Sequence, residues 1–324
     1  DPRPEEVRRV PSLVRHHRLL APFAALVRNY GVPRYGEFDP TVLFAATFVL
    51  MFGMMFGDVG HGAVFIAAGL LLRRRWPKVL PFMAAAGLSS MAFGVVYGSF
   101  FGYEHLFHPL WMSPLSDPLL MLELALYWGI GFILVATGLT IYNRLSERAW
   151  RAALLDSKGV AGVLLYLGGL YAGFSWVGAG RFGWGEGAAI LAPLAVVLVY
   201  KWQEHPSPLG ERVLVVLVEG FEAVMNYLAN TLSFLRVAAF SLNHVALAVA
   251  VFTLADMMDT AGHWITVVLG NLFIIGLEGA IVTIQVLRLE YYEGFSRYFR
   301  GDGREFRPLQ YPVTVETHSA TGPG

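Results

Sequence analysis

The 324-residue sequence has no cysteine, which excludes disulfides, thiolate metal sites and cysteine nucleophiles. It is also short of charge. Only 15% of residues are Asp, Glu, Lys or Arg, against roughly 25% in soluble domains. The formal net charge is zero, so nothing favours nucleic acid as a partner. Lysine is scarce, and arginine carries most of the positive charge. No signal peptide is visible and the first residue is Asp1, so the sequence reads as starting within a longer polypeptide. A phosphate-binding loop, a nucleophile elbow, an H-E-x-x-H helix and an internal repeat are likewise missing.

What is present is apolar: 56% of residues are hydrophobic and 14% aromatic. Runs near 41–56, 63–72, 79–101, 119–142, 159–177 and 188–202 are followed by two much longer ones in 214–300. A bilayer core takes about 20 apolar residues per helix. The pattern predicts an all-α polytopic membrane protein of eight spans, the first two joined through GDVGHG (57–62). Basic residues fall in alternate loops: 1–35, 73–78, 144–158, 201–212 and 297–307. The intervening loops, 102–118, 178–187 and 256–263, hold only Arg181. The positive-inside rule then puts both ends in the cytoplasm. Residues 1–40 read as a cytoplasmic linker, 41–300 as the transmembrane domain and 301–324 as a polar cytoplasmic tail.

The last two runs organise the rest. Residues 214–257 as one helix would extend roughly 65 Å, twice the hydrocarbon core, so the pair over 213–300 is expected to be strongly tilted. Both carry interior ionisable residues: Glu222, Arg236 and His244 on the first, Glu278 and Arg288 on the second. Such residues line bundle interiors or water-filled paths. In a hairpin, Arg236 and Arg288 fall at similar depth. Each pairs with a carboxylate of this chain, or both face an external anion; with few acids near, the second reading is favoured. Glu222 and Asn226 share one face at i,i+4, forming a polar funnel. Glu278 and Gln285, seven apart, share another face, at the depth of His244. Asp58 and His61 lie in the glycine-rich turn. Two ligands three residues apart are too few for a metal, so glycine-mediated helix packing is the simpler account.

These segments resemble the membrane half of the a-type, or I, subunit of V-type and archaeal or bacterial V/A-type rotary ATPases. YGVPRYGEFDP (30–40) is similar to the family's approach to the membrane, and FGMMFGDVGHG (52–62) to its first hairpin. SFLRVAAFSLNHVALA (233–248) is similar to the helix with its essential arginine. EGAIVTIQVLRLEYYEGFSRYF (278–299), followed by GDGREFRPL (301–309), is similar to its last helix and tail.

The resemblance implies that Arg236 and Arg288 face a rotating ring of proteolipid subunits. It implies that Glu222 and Asn226 line a cytoplasmic half-channel, and that Asp58, His244, Glu278 and Gln285 line an outer one. It implies a stator that moves protons without a cofactor or a catalytic site of its own, in contact with lipid and the other membrane-sector subunits. Peripheral stalks would join through an amino-terminal half outside this sequence. Gln285 stands where many eukaryotic members have histidine, and Val237-Ala238 where they have Leu-Trp, which suits a prokaryotic member in a plasma membrane. The competing reading from the residues alone is a secondary transporter that binds an anionic substrate through Arg236 and Arg288; against it stand the missing repeat and the missing central proline in either long helix.

Overall fold

A computed structural model describes residues 10–12, 14, 16–34, 36–103, 109–180, 183–204 and 208–306. The expectations for residues 1–9, Arg181 and the tail beyond 306 fall outside them, as does the 104–108 part of the expected outer loop.

The described chain is a helical bundle with one small clasp. A short helix, α1 (Ala21–Tyr30), precedes an apolar hairpin of α2 (Thr41–Met55) and α3 (Val59–Leu72). Then follow α4 (Val79–Tyr97), α5 (Pro118–Ser146), a one-and-a-half-turn α6 (Trp150–Leu155), α7 (Val160–Ala179) and α8 (Trp184–Glu204). Among the described residues, six continuous helical stretches are long and apolar enough to cross a membrane, the last two being Leu209–Asp256 and Thr260–Tyr298. Helices α2 and α3 are apolar but shorter.

Helix α2 is the core of the bundle. Phe44, Phe48, Phe52 and Phe56 recur every four residues, one turn apart, and all four are fully buried. They meet Phe23 of α1, Phe82 of α4 and Phe65 of α3 edge-on or tilted. At 15 residues α2 is about 22 Å long, short of a roughly 30 Å hydrocarbon core. Most of α2 is buried in protein, while Val42 and Leu50 remain exposed on its outer face.

Neither of the two long stretches is a uniform rod. The first breaks at Phe234 into α9 (Leu209–Ser233) and α10 (Leu235–Asp256). Phe234 is fully buried, packs on Phe132 of α5 at 5.1 Å and sits in a notch where Gly129 has no side chain. Its amide bonds back only three residues, to Thr231 O, so the helix tightens just before Arg236. The second stretch runs through α11 (Thr260–Phe273), a π-helical segment Ile274–Glu278, α12 (Gly279–Leu289), a second π-helical segment Glu290–Phe295 and the final turn α13 (Ser296–Tyr298). Two continuous tilted helices were expected; the observed pair is jointed at three places, each next to an ionisable residue. Wider π turns rotate the faces that follow them, a device common at functional sites.

The segment before α1 and the segment after α13 clasp each other. Two-residue strands β1 (Pro11–Ser12) and β2 (Arg304–Glu305) pair in parallel. Val32 bridges Asp302, and Gly303 N donates to Val32 O at 2.9 Å. Glu37 accepts from both Arg34 N and Arg300 N, and the Arg34 guanidinium forks onto the Asp302 carboxylate. Gly31 and Gly301 are required here: a Cβ on Gly31 would lie 2.3 Å from Gly301 O, and Gly301 has φ +67°.

Candidate functional site

The turn between α2 and α3 lies inside the bundle, where unpaired backbone is costly. Ser90 Oγ donates to Phe56 O (2.6 Å) and Asp58 O (3.0 Å), and Val59 N donates to Ser99 O. Asp58 has no exposed surface and caps α3. Its Oδ1 accepts from His61 N (2.9 Å) and Phe101 N (3.0 Å). Its Oδ2 accepts from Ser99 Oγ (2.6 Å) and Gly102 N (2.9 Å). The two successive amides form an anion nest. Phe101 has φ +49°, an uncommon conformation for a bulky residue, and its bond to Asp58 holds it there.

Beside this carboxylate stand two fully buried imidazoles. His61 Nε2 lies 2.7 Å from Asn271 Oδ1 of α11. His244 Nδ1 of α10 lies 2.7 Å from Glu278 Oε2, and Asn243 Nδ2 donates to Glu278 Oε1 at 3.2 Å. The rings meet edge-on with centroids 5.3 Å apart. Asp58, His244 and Glu278 therefore belong to one buried polar cluster, reaching from the first apolar hairpin to the last. Gln285, one face-repeat from Glu278, is half-buried, and its Oε1 has no hydrogen-bond partner among the described residues.

Arg236 and Arg288 lie in each other's electrostatic field. Arg288 is exposed and Arg236 half-buried, with Nη1 of Arg236 unpartnered among the described residues. One carboxylate, Glu293, acts on both. It stands five residues after Arg288 and is brought round by the second π-helical segment. The pair thus keeps a net positive charge toward the bundle exterior.

Glu222 and Asn226 are exposed on α9. Asn230 Nδ2 donates to Asn226 Oδ1 at 3.0 Å. Asn226 lines a polar cleft with Ser157, Lys158, Asn230 and Arg297, and Glu222 lies within the field of Lys158. Arg297 stacks on Tyr227 at 4.7 Å.

Sequence reasoning missed Ser99, Asn271 and Glu293, and set His61 aside. Ser99 and Asn271 carry no local signal, since they reach their partners across 41 and 210 residues. Glu293 was hidden because a regular helix would point it away from Arg288.

A jointed helical bundle with buried ionisable clusters and several spanning-length apolar helices defines a polytopic membrane protein. The model of the V-type ATPase 116kDa subunit family matches residues 3–102. A-type ATP synthase subunit I of Archaeoglobus fulgidus is 27% identical over 89% of this chain and 51% of its own length. The Aeropyrum pernix protein of the same name is 27% identical over 93% and 51%. V-type ATP synthase subunit I 2 of Treponema pallidum is 39% identical over 31% of this chain and 24% of its own length. These matches support a likeness to the a/I subunit family of V/A-type ATPases, at 26–27% identity over most of the chain. The chain spans about half the length of the archaeal relatives it matches.

Proposed function

We propose that this chain is the membrane part of a stator subunit in a rotary V/A-type ATPase or ATP synthase, coupling proton translocation to rotation of a proteolipid ring. In this reading it crosses a prokaryotic plasma membrane eight times, α2 and α3 included, with both ends cytoplasmic. The observation that carries the proposal is the pairing on one hairpin of two mutually repelling arginines with a buried imidazole–carboxylate cluster.

A ring carboxylate crossing lipid is costly when charged, so it travels protonated. Facing Arg236 and Arg288 it is favoured as the anion and releases its proton. The same guanidiniums repel protons and block a leak between an outer half-channel at Asp58, His244, Glu278 and Gln285 and a cytoplasmic one at Glu222 and Asn226. Rotation is then the route between them, and nucleotide chemistry belongs to other subunits.

The test is ATP-driven proton pumping by the assembled complex in vesicles. Lysine supplies a compact, strongly hydrated charge, whereas arginine stays charged and spreads its donors over a planar fork. Arg236→Lys and Arg236→Ala are both expected to abolish or severely reduce pumping while ring and stator still co-purify. Near-normal pumping by Arg236→Ala removes the residue from the mechanism and overturns the proposal.

A further inference from the structure

Asp58, His61 and His244 are all buried, and one ligand-type atom from each lies within 4.8 Å of the other two. The sequence offered two such residues on one turn; the third arrives from α10.

The hydrogen bonds fix which ring nitrogens are free. Asn271 Nδ2 donates to Val267 O, so its Oδ1 is the acceptor facing His61 and the proton sits on His61 Nε2. The Glu278 carboxylate likewise places the proton of neutral His244 on Nδ1. The remaining nitrogens, His61 Nδ1 and His244 Nε2, keep their lone pairs and have no hydrogen-bond partner among the described residues. Leaving a buried acceptor unpaired costs about 1–3 kcal/mol. A histidine held through one nitrogen by a carboxylate or amide oxygen, with the other nitrogen bare, is the arrangement of a metal ligand with its outer partner. Asp58 Oδ1 lies 3.8 Å from His61 Nδ1 and supplies negative charge.

We propose that His61 Nδ1, His244 Nε2 and Asp58 Oδ1 form a binding site for one zinc-class divalent cation. Two imidazole nitrogens exclude magnesium and calcium, which take oxygen ligands, and suit late first-row metals. Contact at roughly 2.0–2.2 Å requires the ligand atoms to draw inward from mutual separations of up to 4.8 Å. All four lone-pair positions of Asp58 are occupied, so ligation displaces one amide hydrogen bond. Binding is therefore weaker than at a dedicated structural site, and reversible. Bound metal occupies both bare nitrogens. If the proposed function holds, it also blocks proton passage through the outer half-channel.

Bound zinc is counted by elemental analysis of the purified complex, equilibrated with buffered free zinc in excess magnesium. Wild type is expected to hold one more zinc per complex than His61→Leu or His244→Leu. Equal zinc in all three, or displacement by magnesium, overturns the site. If either histidine variant does not assemble, Asn271→Leu decides, because it keeps all three ligands. Its half-saturating zinc concentration should rise roughly 10- to 100-fold; an unchanged value overturns the site. Zinc inhibition of pumping is scored separately. Zinc binding without inhibition leaves the site standing and counts against the half-channel reading.

Discussion

His244 Nδ1 and Glu278 Oε2 stand 2.7 Å apart on the two arms of the long hairpin, both side chains nearly inaccessible. Glu278→Gln keeps the shape but not the charge, and sets an amide N–H against one of two donors, His244 or Asn243. Coupled proton pumping should fall roughly tenfold or more, in line with the loss of a proton-transfer group, while the complex stays intact on a sizing column. Unchanged pumping would make the carboxylate structural.

Helices α3 and α4 approach through reciprocal glycines. A Cβ on Gly62 would lie 2.6 Å from Gly87 O, and one on Gly87 would lie 2.6 Å from Gly62 O. Backbone cannot yield as a flexible side chain does. Gly87→Val should lower stability by about 1–3 kcal/mol or more. Gly138→Ala, where a new Cβ meets nothing within 4 Å, should be close to neutral. Thermal unfolding followed by tryptophan fluorescence separates the two.

The clasp has a pH dependence of fixed sign. The Arg34 guanidinium, chiefly through its hydrogen bond, holds Asp302 below the usual carboxylate range. As pH falls, the unfolded chain takes up this proton first. The stabilisation is thus fully present above the ordinary value near 3.9 and lost as pH drops through the lowered native one. Asp302 is half exposed, so the effect is small. Asp302→Asn should melt slightly below wild type at pH 7, and the gap should close toward pH 3. A gap that widens on acidification would contradict the pairing.

Topology is open to direct labelling, since the chain has no cysteine of its own. Arg74→Cys, on the turn after α3, should react with an impermeant thiol reagent only from the cytoplasmic side. Met258→Cys, on the turn after α10, should react only from the outside. Both positions are exposed. Reaction of both from one side would end the eight-span arrangement.

The apolar stretches were legible because a bilayer core dictates their length. The observed 79–97, 118–146, 160–179 and 184–204 lie within a few residues of the runs read from the sequence. What the sequence hid is set by partners far along the chain. The joint at Phe234 exists because Gly129 opens a notch for it, and nothing near 234 announces that. Phe23 and Val27 lie in a basic, proline-marked stretch with little periodicity, yet they are buried in the main core. The depth of His244 and Glu278 could be counted along a helix. The Ser99 hydroxyl under Asp58, and the turn that carries Glu293 to the arginines, could not.

The clasp also has a place in time. Ser12 Oγ reaches Arg304 O across 292 residues, so this contact cannot form until every helix between them has been synthesised. Until then Arg34 and the backbone edge at Val32 lack their partners at 301–303. Closing so long a loop costs entropy that local contacts do not recover, so the clasp closes last. Its parallel hydrogen bonds act as a completion seal. A nascent chain halted before α13 would leave that edge open, and the protease sensitivity of α1 would report whether synthesis had passed the 301–305 segment.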